Sequence, residues 1–389
     1  MKTSAIAFAA LALLLARSAN AQAHGACALA TDWVQQGDDD TALVVPAMAG
    51  NQRLSMMIDT GSPTSLADST LERYADGISE EAENQASYGG AFATRHAKAF
   101  RFSISGREMS IGNVGLADLS NLRSAGSDIN MVIGRDILSH CAIDIDSDRN
   151  RFRILDANAL GRDFAGAHSI PLSQIRGDPK ISISVGGSKA FEAVVDTGNE
   201  DSILLGSDTW RAVKPKGVRQ TTAASAGIGG VVVEGLAFVP TASVGSSIFH
   251  DVEVRISQHE SDGSKRAPNA NVIGIPFLKL ANTVIDLGNN VISFSPRKTP
   301  SPHPVKSTSG VMAVSLGDKL KIVHVMQDSP AASAGLVETD EICRIDGQRI
   351  GADYEASPMR TWSRGRPGRV IHISLCDGRE KQVVLREFY

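Results

Sequence analysis

The amino-acid sequence predicts a mainly β protein in which a unit of about 140 residues occurs twice and a smaller β-rich domain follows. Three observations carry this expectation. The tripeptide Asp-Thr-Gly stands at Asp59-Thr60-Gly61 and again at Asp196-Thr197-Gly198, each time after an apolar run, 54–58 and 191–195, that reads as a strand. Two further landmarks recur in the same order: Val132-Ile133-Gly134 with Val272-Ile273-Gly274, and Ile143-Asp144-Ile145 with Ile285-Asp286-Leu287. Gly134 lies 75 residues after Asp59, and Gly274 lies 78 residues after Asp196. Finally, residues 295–309 contain four prolines and no packing residues, which reads as a semi-extended linker before a separate domain.

A strand that runs into Asp-Thr-Gly sets a carboxylate at a loop tip. The glycine turns the backbone without a Cβ penalty, and the threonine hydroxyl can bond nearby backbone. Duplicated halves of this kind often face each other across a pseudo-twofold axis, where two such tips would meet. The 36 glycines suit a turn-rich β chain. A net charge of −4 over 389 residues points to neither nucleic acid nor an anionic membrane as partner. The nine histidines are scattered, and there is no Cys-x-x-Cys, His-Glu-x-x-His or Gly-x-Ser-x-Gly, so no metal, cofactor or serine-hydrolase chemistry is expected.

Taken in order, residues 1–21 read as a secretory signal: Lys2, an apolar run at 5–15 too short to span a membrane, and a cleavage pattern Ala19-Asn20-Ala21. No later stretch is apolar enough to cross a membrane. Export to a periplasm is the expectation, with secretion as the alternative. In an oxidising compartment the four cysteines can pair in three ways. One bridge per folded region gives Cys27–Cys141 and Cys343–Cys376; buried free thiols are the alternative. The first half spans 22–156. It contains a solvated acidic turn at Asp38-Asp39-Asp40, strands at 41–46 and 54–58 around Gly50-Asn51, and one or two helical turns within 68–83. A Gly-rich tip follows at Ser87-Tyr88-Gly89-Gly90-Ala91, then a hairpin about Ser105-Gly106, then a strand and short helix at 131–138. Residues 157–168 connect the halves. The second half, 169–294, repeats the plan with a cleanly alternating strand at 181–185, a second tip at Gly227-Ile228-Gly229-Gly230, an exposed loop at 261–264 and the segment 272–280. The third domain, 310–389, shows a strand at 321–326, the run 329–336, a strand-turn at 340–348 and final strands around Asp377-Gly378.

Over roughly residues 40–296 these paired motifs resemble the aspartic peptidases, and more closely their retropepsin-like group in bacteria. The resemblance implies two β-barrel lobes with Asp59 and Asp196 as a catalytic pair. It implies that Thr60, Gly61, Ser62, Thr197, Gly198 and Asn199 support the pair, and that Gly134 and Gly274 allow the segment beneath each loop to approach. A Ser at 62 would bond the outer carboxylate oxygen through its hydroxyl. Asn199 departs from the usual Ser, Thr or Ala, and its amide can donate the same bond. Tyr88, Gly89, Gly90, Gly229 and Gly230 become candidates for substrate-covering flaps, with ordinary surface hairpins as the alternative. Residues 310–389 resemble a bacterial PDZ domain, which implies capture of a peptide C-terminus as an added strand. The carboxylate loop is expected at Ser315, Leu316 and Gly317, although Asp318 beside it would repel a carboxylate.

The function expected from this reading is that of an exported aspartic endopeptidase acting on polypeptide substrates. Two carboxyls held together share one proton and activate a water between them, without a covalent intermediate. Asp59 is expected to be the more readily ionised, with activity at mildly acidic pH. The alternatives are a peptide-binding or regulatory protein that keeps the fold without turnover, and a structural β protein whose Asp-Thr-Gly turns only bond backbone.

Overall fold

The computed structural model of the chain describes residues 27–36, 41–87, 90–124, 128–157, 168–175, 177–228, 230–257, 271–300 and 306–389. The expected signal at 1–21, the acidic run 38–40, Tyr88, Gly89, Gly229, the loop 261–264 and most of the connection 157–168 lie outside them.

The protein is mainly β, with several sheets. The first half begins with the hairpin Val44–Ala49 and Gln52–Ile58, turned at Gly50-Asn51. The second strand ends at Asp59. It pairs in parallel with Met131–Ile133, which lies antiparallel to Leu66–Asp68. That strand in turn runs parallel to Arg107–Ala117, which pairs with the long strand Gly90–Ile104. A contact between Met48 and Ser103 brings the sheet back on itself.

The second half repeats this path step by step. Asp178–Val185 and Phe191–Val195 form the hairpin, the latter strand pairs in parallel with Val272–Ile273, and that lies antiparallel to Ile203–Leu205. Ile203–Leu205 runs parallel to Ser247–Ile256, which pairs with the long strand Gly230–Val244. Pairing of Ser184 and Val185 with Ser243 and Ala242 closes this sheet. In the first half residues 54–58 and their parallel partner Met131–Ile133 are buried, and in the second half Ala193, Val195 and the partner Val272–Ile273 are buried.

A six-stranded sheet joins the halves beneath the Asp turns. The hairpin Cys141–Asp146 and Arg151–Asp156 from one half meets Asn282–Asp286 and Val291–Ser295 from the other. The duplicated landmarks meet at its centre, where Ile143 pairs with Ile285. One apolar core runs through both halves, from Leu54 and Phe100 to Phe277 and Phe294. On the underside Arg151 and Arg153 stack over Trp33, 4.1 and 4.3 Å from its ring centre, while pairing with Asp146 and Asp144.

The third domain has its own core, centred on Leu320, Ile322, Ile342, Trp362, Ile371 and Leu385. The stretch read as a linker without packing residues differs from that expectation. Asp148 accepts bonds from Lys298 N, Thr299 N and Thr299 Oγ1, tying down one end. At the other end Thr308 and Ser309 are buried: Ser363 O accepts from both backbone N–H groups, Gly365 O accepts from Thr308 Oγ1, and Ser309 Oγ accepts from Val311 N. Short hydroxylic side chains can saturate buried carbonyls in this way, and composition alone did not reveal it. The segment Ser315-Leu316-Gly317 is the turn between strands Val311–Ser315 and Leu320–Val325. Leu316 N–H is spent on Lys319 O at 2.8 Å, so this tight turn does not present it to a peptide carboxylate as the sequence suggested.

The cysteines form two disulfides, Cys27–Cys141 and Cys343–Cys376. The first closes 114 residues and ties the segment at 27–29 to the central sheet. Replacing Cys27 and Cys141 with Ser is expected to lower unfolding stability by about 2–4 kcal/mol through the freed denatured chain. Urea unfolding of the double variant checks this, and an unchanged midpoint would count against the bridge as a structural tie.

Candidate active site

Each Asp turn is built by the strand that leads into it and the one beside it. Asp59 N donates to Ile133 O at 2.9 Å, and Asp196 N to Ile273 O at 3.0 Å, so each turn starts from a fixed pair of parallel strands. The glycines after these strands carry the turns on their backbone. A Cβ at Gly134 would meet Thr64 and Ser62 backbone at 2.6–2.9 Å, and one at Gly274 would overlap the carbonyls of Asp201 and Asn199. Neither position has room for a side chain. Arg135 N donates to Ser62 O at 2.9 Å and Ile275 N to Asn199 O at 3.0 Å, completing the match between the halves.

The two turns hold each other. Thr60 N donates to Thr197 Oγ1 and Thr197 N donates to Thr60 Oγ1, both at 3.0 Å. Each hydroxyl then donates across the axis, Thr60 Oγ1 to Val195 O and Thr197 Oγ1 to Ile58 O, both at 2.7 Å. Both threonines are fully buried. The sequence suggested that these hydroxyls bond their own neighbourhood; they bond the opposite half instead. Gly61 and Gly198 pack against the opposite carboxyl, so a Cβ on either would overlap Asp196 or Asp59. The Asp59 and Asp196 carboxyls share a hydrogen bond.

Their surroundings differ. Asp59 Oδ1 accepts from Gly61 N at 2.8 Å and Ser62 N at 2.9 Å. Asp196 Oδ1 accepts from Gly198 N at 2.9 Å, while Asn199 N turns to Asp196 O at 3.3 Å. Burial between the halves raises the pKa of both. At Asp59 the bonds from Asp196, Ser62 and Gly61 oppose the rise. At Asp196 burial is reinforced by the neighbouring Asp59 charge, and the pKa lies well above the ordinary range. Asp59 thus receives one more backbone N–H donor than Asp196, while burial raises the pKa of both.

One supporting residue acts otherwise than expected. Ser62 reaches Asp59 through its backbone N–H, because its hydroxyl donates to Thr64 O at 2.7 Å within the turn. The side-chain oxygen of Asn199 accepts from Asp201 N at 2.7 Å, an Asx-type local bond. Arg135 has a role that the tripeptides do not announce. It is 12% exposed, donates to Thr60 O and Gly61 O at 2.7 Å each, and pairs with Asp178 of the second half at 2.8 Å. Its place directly after Gly134 was the available signal. Asp136 beside it accepts from Ser65 Oγ and Ser65 N, and Ser65 Oγ accepts from Gly134 N.

A hairpin with a glycine at its tip occurs in each half. Glu83–Ser87 pairs with the start of Gly90–Ile104, with Ser87 opposite Gly90; Gln220–Gly227 pairs with Gly230–Val244, with Gly227 opposite Gly230. Gly90 and Gly230 have φ of 152° and 123°, a region L side chains rarely adopt. Ile228, at the second tip, crosses to the first half and packs with Phe92 and Leu122 against a cluster containing Met57, Leu66 and Leu119. Asn121 Nδ2 donates to Ile228 O at 2.7 Å. The outer strand of the same hairpin carries the third domain. Thr222 Oγ1 bonds His324 Nε2 at 2.8 Å and accepts from Gln327 N at 3.0 Å, while Ala223, Leu236, Met326, Phe388 and Tyr389 form an apolar contact.

Among the described residues, no group of three His, Cys, Asp or Glu is placed to hold a metal, and no helix is long and apolar enough to cross a membrane. Comparison with known proteins finds no family model that matches the chain and no similar curated protein.

Two outcomes are expected from this geometry. Thr197→Val removes one donor and one acceptor from the buried exchange and leaves Thr60 N and Ile58 O unsatisfied. It should cost about 2–4 kcal/mol in denaturant unfolding, and Thr197→Ser clearly less. The second concerns pH. A carboxyl whose folded pKa is raised binds more protons folded than unfolded, so its contribution to stability falls as pH rises above 3.8. Asp196→Asn should therefore be more stable than the native chain at neutral pH, with the gain vanishing at about pH 4. A gain that grows on acidification would contradict the assigned direction.

Proposed function

We propose that this protein is an exported aspartic endopeptidase of the retropepsin-like kind, with Asp59 and Asp196 as its shared-proton pair and residues 310–389 as a PDZ-like docking domain. The observation that carries this reading is the reciprocal Thr60–Thr197 exchange, which sets two carboxyls in mutual hydrogen bond on the axis between matching halves. The repeated strand order supports two equivalent lobes.

The asymmetry of the pair assigns the roles. Asp59, with two backbone N–H donors, is the base that removes a proton from a water attacking the peptide carbonyl. Asp196 keeps its proton and gives it to the carbonyl oxygen, producing a neutral tetrahedral gem-diol. Collapse returns a proton to the leaving amine through the same pair. The hairpin 220–244 serves as the roof of this site, so an extended peptide enters when its tip leaves Asn121 and Ile228 leaves the cluster that contains Met57, Leu66 and Leu119. The reading without turnover draws on the departure at Asn199, which stands where Ser, Thr or Ala is usual and whose side-chain oxygen is held by Asp201 N.

The purified mature chain should cleave an unfolded protein such as casein between about pH 3 and pH 7, with both Asp59→Asn and Asp196→Asn inactive. The rate should fall as Asp196 loses its proton at higher pH. Cleavage that survives either substitution would overturn the proposal. Peptide binding without cleavage at any pH would favour the reading without turnover.

A further inference from the structure

Each Asp turn needs something to hold it from outside the axis, and the two halves solve this differently. In the first half Arg135 follows Gly134 and grips the Thr60 and Gly61 carbonyls. The matching position after Gly274 is Ile275, whose side chain is buried and has no donor. The second turn lacks the equivalent cation at that place. It has instead a buried acid, Asp201, and an arginine that reaches it from another strand.

We infer that Arg255 is a positioning residue for the Asp196 turn, tying residues 199–202 to the base of the hairpin that roofs the site. This rests on the peptidase reading for its kinetic part. Arg255 lies on Ser247–Ile256, opposite Leu204 on one side and Leu236 on the other. Its side chain is 14% exposed. Nε lies 2.8 Å from Glu253 Oε1 and 3.6 Å from Asp201 Oδ1, and Nη1 donates to Ser225 Oγ at 3.4 Å. Ser225 Oγ in turn donates to Glu234 Oε2 at 3.3 Å, and Glu234 is buried. One cation thus gathers groups from the Asp turn and from both strands of the hairpin.

The tie reaches Asp196 through short steps. Asp201 N donates to Asn199 Oδ1, Asn199 N donates to Asp196 O, and the Asp201 carbonyl packs against Gly274. Without the guanidinium, Asp201, Glu234 and Glu253 would face one another in a buried space with no countercharge, and the turn would move to relieve them. The charged groups here are Asp201, Glu200, Glu234, Glu253 and Arg255, with Tyr389 of the third domain facing Glu253 and Arg255. Burial pushes Asp201 up to about 7 despite Arg255. Below neutrality the turn carries less charge and depends less on the cation.

The test uses the full mature chain as wild type, Arg255→Met, Arg255→Lys and Asp201→Asn/Arg255→Met. Hydrolysis of a casein-derived peptide is followed from acid to neutral pH, and amide hydrogen exchange is measured over 196–202 and 220–234. Arg255→Met should lower kcat roughly 10- to 100-fold with a smaller change in KM, and the deficit should narrow as pH falls. Arg255→Lys and the double variant should each recover part of the loss, and exchange over 196–202 should accelerate in Arg255→Met. Unchanged kcat, pH profile and exchange in Arg255→Met would overturn the inference. If Arg255→Met does not fold, the double variant decides: native kcat and native exchange in it overturn the inference, and faster exchange over 196–202 supports it. If the wild type cleaves nothing, the peptidase reading fails separately and exchange alone decides the positioning role.

Discussion

Two threonine hydroxyls, each accepting an N–H from the opposite turn and donating to the strand beyond it, fix the geometry on which the rest of the site depends. All four bonds cross between halves, and all are shielded from water, so breaking one leaves buried groups without partners. This makes the separation of the two carboxyls a property of the pair of halves. Neither half alone specifies it. The central sheet, with Ile143 against Ile285, supplies the broad alignment, and the threonines set the fine one.

A repeated strand framework combined with unequal hydrogen bonding within the turns distinguishes the two carboxyls. The strand order and the strand-to-turn bonds repeat almost step for step, yet one carboxyl receives two N–H donors and the other receives one. Two carboxyls in such proximity cannot both ionise cheaply, and a small difference in donors decides which one keeps the proton. The outer supports diverge as well: Arg135 in one half, and Asp201 with Arg255 in the other. The hairpin 220–244 contacts all three parts of the molecule, with its tip on the first half, its base beside Arg255 and its outer strand under the third domain.

Much of this was legible in the sequence because duplication repeats local signals. Asp-Thr-Gly after an apolar run, and Val-Ile-Gly at matching distance, located both turns and the strands beneath them. The family resemblance implied close approach at Gly134 and Gly274, and in the structure only glycine fits against the backbone there. What sequence could not give was partner choice over long separations. Nothing local tells that Thr60 bonds Val195, or that Thr197 bonds Ile58. Arg255 sits in an alternating strand that reads as ordinary, and only the fold brings Asp201, Ser225 and Glu234 around it. Ser315, Leu316 and Gly317 were expected as a carboxylate loop because the PDZ resemblance places one before the strand at 321–326, a position that a plain hairpin turn can also occupy.

The central claim is that Asp59 and Asp196 hold one proton between them where ordinary carboxylates have lost theirs. Infrared difference spectroscopy of the native chain against Asp196→Asn, at about pH 6, reads this directly. The account predicts a protonated-carboxyl C=O band in the native chain that is missing from the variant. A native spectrum with both carboxylates ionised at that pH would contradict it.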